Sequence, residues 1–169
     1  MAPRVREAAL LEGDFVLSSG ERSRFYVDKY LFSTEPGLLQ DLAAELSGRV
    51  PPGTRRLAGV ELGAVPLVVA LSLRTGLPYV VVRRSAKGYG TGRKVEGRSE
   101  AGERTVLVED VVTTGTQAVE AARSLVEAGA EVSTVLAVLD RREERSGYLE
   151  EFAFEALLTT QDLGLDTGN

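Results

Sequence analysis

The sequence predicts an α/β fold, with a central, mostly parallel sheet flanked by helices. Three observations predict it. Short β-branched runs alternate with stretches of helical periodicity through the second two-thirds of the chain. Several of these runs are apolar throughout, as in strands covered on both faces. One glycine-rich, basic stretch breaks the alternation, and connections that long are usually functional covers or disordered. The chain has 169 residues, the size of one compact domain. No repeat, low-complexity tract or linker divides it, so residues 1–169 are read as a single domain.

Taken in order, Phe25, Tyr26, Val27 and Asp28 form an extended piece. Leu39, Leu42, Ala43 and Leu46 fall at helical spacing behind Thr34, Glu35 and Pro36, a helix start. Residues 57–60 read as a strand, and residues 65–75 as a helix with Pro66 in its first turn and Gly76 as its stop. Residues 79–82 and 105–108 are two further apolar strands. Residues 117–128 form a helix with Ala118, Ala122 and Leu125 on one face and Gly129 at its end. A strand follows over 134–139, and a late one over 152–158.

Composition excludes several chemistries. The chain has no Cys, so disulfides and thiolate metal sites are absent. It has no His, the commonest general base and metal ligand. Carboxylates, Lys, Arg, Tyr, hydroxyls and backbone amides remain. A net charge of −5 speaks against a nucleic-acid partner for the surface as a whole. No stretch reaches the roughly 18 apolar residues of a membrane span, and the first residues lack an export signal's apolar core. The expected location is the cytoplasm, with no membrane partner.

The interrupting loop spans 84–104 and carries Gly88, Gly90, Gly92, Gly97 and Gly102. Residues 83–104 hold seven Lys/Arg against three Asp/Glu, so this segment is positive on a chain that is otherwise acidic. It reads either as a solvated surface loop or as a mobile cover for an anion.

The chemistry concentrates just after residues 105–108. Glu109 and Asp110 are adjacent acids, followed by Val111, Val112 and a small hydroxyl-rich turn, Thr113-Thr114-Gly115-Thr116, and then a helix opening at Gln117. Ligands of open α/β sheets bind beyond the carboxyl ends of strands. A helix start preceded by Gly and Thr offers amides and hydroxyls to a phosphate. Carboxylates accept hydrogen bonds from sugar hydroxyls. The segment is therefore suited to a ribose phosphate, held by its diol at the acids and by its 5′-phosphate at the turn. Neither a Walker A loop nor a dinucleotide-binding glycine fingerprint is present at a strand–helix junction.

Residues 108–117 resemble the 5-phosphoribosyl-1-pyrophosphate (PRPP) motif of type I phosphoribosyltransferases. Further segments are similar to the orotate-using family within that group. These are Phe15 to Gly20 with Ser23 and 25–28 as a substrate-covering hood, 59–66 as a pyrophosphate loop, 82–90 as a lid, and Asp140-Arg141-Arg142-Glu143 as a D-R-x-E element. The resemblance implies the type I phosphoribosyltransferase fold and transfer of a phosphoribosyl group from PRPP to orotate. It implies that Lys87, Arg84 and Asp110 are catalytic. It also implies that PRPP meets Arg83, Arg84, Lys87, Tyr89, Glu109, Asp110, Val111, Val112, Thr113, Thr114, Gly115, Thr116 and Gln117. Orotate would meet Thr113, Arg141 and Tyr26. Mg²⁺ would be carried by PRPP rather than by a protein site. A homodimer sharing its lid across subunits is also implied. Two other readings stay open: a phosphoribosyltransferase for another nucleobase, and a PRPP-sensing regulator without catalysis. This chain departs from the family at Ser18 and Gly63, where some members carry Lys, and at Arg84, Ser85 and Tyr89. Four other charges have local readings. Glu61 either caps the helix behind it or faces the ligand, Asp28 and Lys29 form a local ion pair, and Arg142 is a solvated surface charge.

Overall fold

A computed structural model describes residues 1–16, 20, 22–85, 93–142 and 151–165. The hood comes first. Helix α1 (Ala2–Ala9) buries only Val5 and Ala9. Strands β1 (Leu10–Val16) and β2 (Arg22–Val27) pair antiparallel as a separate ribbon. A short helix α2 (Lys29–Ser33) follows, capped by Asp28, whose carboxylate accepts from Tyr30 N at 2.9 Å. Helix α3 (Pro36–Ser47) starts as expected, with Pro36 in its first turn and Glu35 accepting from the amides of Gly37 and Leu38.

The main sheet holds β3 (Arg56–Val60), β4 (Tyr79–Val82), β5 (Val95–Glu96), β6 (Arg104–Val112), β7 (Glu131–Asp140) and β8 (Phe154–Thr159). Their order is β5-β4-β3-β6-β7-β8, parallel throughout except for β5 at the edge. Helix α4 (Ala64–Thr75) crosses from β3 to β4 and ends at Gly76, whose φ of +73° is the left-handed stop that glycine adopts freely. Helix α5 (Thr116–Glu127) crosses from β6 to β7.

Strand periodicity divides the core into two layers. Val106 and Val108 of β6, with Leu136 and Val138 of β7, face the layer built by α1 to α4. Leu107, Val135 and Ala137 face the layer under α5. Gly59 lets α4 lie close on β3, because a Cβ there would stand 2.5 Å from Val68 Cγ1.

The expected elements recur, with shifted ends. Strand β6 does not stop at residue 108 but runs to Val112. Glu109, Val111 and Val112 still register with Ala137, Leu139 and Asp140 of β7, so both acids belong to the strand itself. The late strand begins at Phe154 rather than 152. The interrupting loop over 84–104 contains β5, laid on the edge of β4. Its central part, with Lys87 and Tyr89, lies outside the described residues, as do Ser18 and Glu143.

Candidate functional site

The candidate site lies at the carboxyl ends of β3, β4, β6 and β7, where an open parallel sheet presents its ligand crevice. The end of β6 delivers Glu109 and Asp110, which are only 5% and 4% exposed. Two adjacent buried carboxyls cannot both stay ionised cheaply. Burial, and then the charge of Asp110, push Glu109 up to about 8, against the pull of Lys29 and Arg84. Asp110 is met by a cation: Lys29 Nζ stands 2.8 Å from its Oδ2. This is an ion-pair contact without hydrogen-bond alignment, and it replaces the expected pairing of Lys29 with Asp28. Asp28 instead caps α2.

Beyond the acids the chain turns through Thr113 and Thr114, both exposed, to Gly115, whose φ of +85° makes it the left-handed N-cap of α5. Thr114 Oγ1 lies 3.1 Å from Thr116 Oγ1. A glycine cap has no side chain to cover the helix pole, which leaves amides and hydroxyls facing the crevice mouth. Val112 is buried under the turn, Val111 half-buried, and Gln117 exposed on the first turn of the helix. A small cavity of about 80 Å³ joins Gln117 to Val60, Arg83, Arg84 and Lys94.

The arginines arrive from β4. Glu61, in the loop after β3, gathers them. Its carboxylate accepts from Arg84 N at 2.8 Å and lies 3.6 Å from Arg83 Nη1, while its carbonyl accepts from Arg84 Nε at 3.2 Å. Glu61 therefore does not cap α4, whose N-cap is Gly63. It fastens the end of β4 to the loop.

Arg141 follows β7, with its amide donating to Val112 O at 2.8 Å. Burial lowers the pKa of its guanidinium, and the nearby Tyr26 phenol opposes that shift. Two residues expected to meet one substrate are thus brought together from the hood and from the sheet. Tyr26 is 39% exposed and stacks obliquely on Phe15, with ring centroids 5.7 Å apart. Arg142 is not the solvated charge expected. Its guanidinium forks onto Asp140 at 2.9 Å through both Nε and Nη2, and lies 4.4 Å from the Phe154 ring centroid.

The residues brought together are therefore Glu109, Asp110, the Thr113–Gln117 turn, Arg83, Arg84, Arg141 and Tyr26. Lys29 and Glu61 join them and were not expected as site residues. Two larger cavities lie elsewhere, one of about 710 Å³ between the hood and Leu165, the other of about 740 Å³ beside β5 and Ala128. Neither is lined by the acid pair or the hydroxyl turn.

Comparison with known proteins gives a consistent result. The phosphoribosyl transferase domain family matches residues 38–151. The orotate phosphoribosyltransferase of Natronomonas pharaonis is 48% identical over 156 residues, covering 91% of this chain and 89% of that protein. The crystal structure of orotate phosphoribosyltransferase from Aeropyrum pernix superposes with a TM-score of 0.82 at 34% identity, over 98% of both chains. The Mycobacterium tuberculosis orotate phosphoribosyltransferase in complex with PRPP superposes with a TM-score of 0.74 at 29% identity, over 97% of this chain and 96% of that one.

Proposed function

Since the chain belongs to the orotate phosphoribosyltransferase family, we propose that it transfers the 5-phosphoribosyl group of PRPP to orotate, giving orotidine 5′-monophosphate and pyrophosphate. This is a step of pyrimidine biosynthesis. The observation that carries the reading is the buried Glu109–Asp110 pair at the end of β6, followed directly by the hydroxyl-lined turn at the α5 pole.

In this reading the ribose diol hydrogen-bonds to the two acids. Thr113, Thr114, Gly115, Thr116 and Gln117 wrap the 5′-phosphate. The orotate nitrogen forms its bond to ribose C1 as the C1–O bond breaks, and that electron pair leaves on pyrophosphate. Positive charge grows on the ribose and negative charge on the leaving group, so cations fixed beforehand stabilise the separation. Arg83 and Arg84 supply them from β4, and Lys87 and Tyr89 belong to the same segment. Arg141 presents its fork to the orotate carboxylate or ring oxygen, with Tyr26 beside it, and Thr113 of the turn also meets the base.

Mg²⁺ fits the donors present. With neither Cys nor His in the chain, the site offers carboxylate and hydroxyl oxygens, the hard ligands magnesium takes. The ion would arrive on PRPP and would supply charge neutralisation at the pyrophosphate. Among the described residues, no three acidic side chains are grouped as a metal cage.

The family resemblance also supports a homodimer that shares its lid, with Arg84 and Lys87 reaching across. Within one chain, Arg84 is held by Glu61. The cytoplasm is the proposed compartment. Among the described residues, no helix is long and apolar enough to cross a membrane.

The test mixes protein, Mg²⁺, PRPP and orotate and follows orotate absorbance together with pyrophosphate release. Turnover with orotate supports the proposal. Turnover only with adenine or hypoxanthine moves the assignment to a purine enzyme. PRPP binding without turnover on any base makes the protein a PRPP sensor.

A further inference from the structure

We propose that Lys29 is a positioning residue of the phosphoribosyl transfer, whose ammonium reaches from the β2–α2 junction and holds the Asp110 carboxylate where it receives the ribose diol. The inference deepens the proposed function and rests on it.

The geometry is a three-way junction at one oxygen. Asp110 Oδ2, at the end of β6, has Lys29 Nζ at 2.8 Å on one side. On the other side is the backbone of Gly63, where a Cβ would fall on Asp110 Oδ2 and within 3.2 Å of Lys29 Cε. The loop after β3, the end of β6 and the exit of the hood thus meet around a single carboxylate. The loop position must be glycine for the lysine and the acid to pack as they do.

Lys29 is also fixed from behind. The Asp28 side chain caps α2, the Asp28 amide donates to Ala9 O at 2.9 Å, and Phe32 and Ser33 of the same short helix are buried. Its side chain is 24% exposed, against 5% for that of Asp110, so the ammonium closes the crevice floor rather than trailing in solvent.

Charge explains why a lysine stands there. The cations acting on Glu109 are Lys29 from α2 and Arg84 beyond β4. Arg84 is tied to Glu61 by two hydrogen bonds, which leaves Lys29 as the direct partner of Asp110. Its charge also pulls down the neighbouring Glu109 carboxyl, which burial and Asp110 push up to about 8. A charged carboxylate accepts sugar hydroxyls, while a neutral one both donates and accepts. Oδ1 accepts from Val111 N at 2.6 Å, and a carboxylate has lone pairs left for a diol.

Composition points the same way. Of 20 basic residues only three are lysines: Lys29, Lys87 and Lys94. In so arginine-rich a chain, a retained lysine marks a place where a compact ammonium fits and a planar fork does not. Three residues earlier, in β2, stands Tyr26, so the hood segment that would face the base also holds the acid that would face the sugar.

The test measures Mg²⁺–PRPP binding by calorimetry and steady-state kinetics for the wild type, Lys29→Met and Lys29→Gln, from about pH 5.5 to 9. Loss of one charge-assisted contact predicts that the PRPP Kd and KM rise about 10- to 100-fold while the orotate KM stays within about twofold. The acid limb of kcat/KM for PRPP should also move to higher pH, because Glu109, without the pull of Lys29, gives up its proton less readily. A Lys29→Met protein that folds and binds PRPP as the wild type does, with an unmoved pH profile, overturns the proposal. So does loss of the fold in both variants, which would make Lys29 part of the scaffold. Turnover by the wild type on another base would remove the orotate assignment and leave the PRPP measurement on Lys29 standing. A wild type that does not bind PRPP removes both.

Discussion

Glu109→Gln should stabilise the ligand-free protein and weaken it as a binder of PRPP. The carboxyl is 5% exposed, and burial together with the neighbouring Asp110 pushes it from 4.5 to about 8. Below about pH 4.5 it is protonated in the folded and unfolded chain alike and makes no difference. Between 4.5 and about 8, the unfolded chain releases the proton while the folded chain keeps it, so stability falls as pH rises. Above about 8 the loss is complete. At about 1.4 kcal/mol per unit, the full displacement is worth about 5 kcal/mol. Relaxation and water penetration reduce such penalties, so about 2 to 3 kcal/mol is expected. Gln has the same shape and no titration. The stability difference between variant and wild type should therefore grow from near zero at about pH 5 to a plateau near pH 8.5, a rise of roughly 5 to 10 °C in Tm for a chain this long. Urea unfolding at a series of pH values reads it directly. Above about pH 8, where the wild-type carboxyl is ionised, the same variant should bind PRPP about tenfold more weakly, having lost an anionic acceptor for the diol. A stability difference that stays flat across the pH series would refute the burial argument, whatever happens to binding.

Arg141→Ala should raise the orotate KM about 10- to 100-fold, the worth of a charge-assisted fork, with the PRPP Kd little changed; initial-rate kinetics in both substrates separate the two. Gly63→Ala should cost about 1 to 3 kcal/mol of stability and displace Asp110, so PRPP binding in calorimetry should fall together with the urea midpoint. Arg56→Met removes the buried partner of Glu103, held by a fork of 2.5 and 2.9 Å, and should cost about 2 kcal/mol near neutral pH after solvent screening. Arg56 holds the Glu103 carboxyl down at about 2, so this contribution is present above about pH 4.5 and fades as pH falls towards 2; melting curves of wild type and variant should converge in acid.

The fold was legible where its signals are local. Pro36 and Glu35 announce α3, Gly76 ends α4, and the apolar runs mark β3, β4, β6 and β7. The hood was less legible for physical reasons. Helix α1 buries two side chains, and α2 is a single turn and a half, too short to show a period. Strand β1 reads Leu-Leu-Glu-Gly-Asp-Phe-Val and is exposed along most of its length, so no apolar alternation betrays it. The end of β6 was misplaced because acids depress strand propensity. Pairing with β7 keeps them in the ladder.

The site divides along the same line. Glu109, Asp110 and the threonine turn are contiguous, and their chemistry could be read from order alone. The partners of those acids could not be, because they come from distant segments and are chosen by packing. Lys29 looked like half of a local pair with Asp28, yet the cap on α2 occupies Asp28 and frees the lysine to cross to Asp110. Glu61 looked like a helix cap, yet the helix begins two residues later at a glycine and the carboxylate turns to the arginines. One signal was available: three lysines among twenty basic residues. A protein without histidine lacks the side chain whose ordinary pKa lies in mid-range. It depends on charges placed before the substrate arrives, which is why the groups least visible in the sequence are the cations gathered around its buried acids.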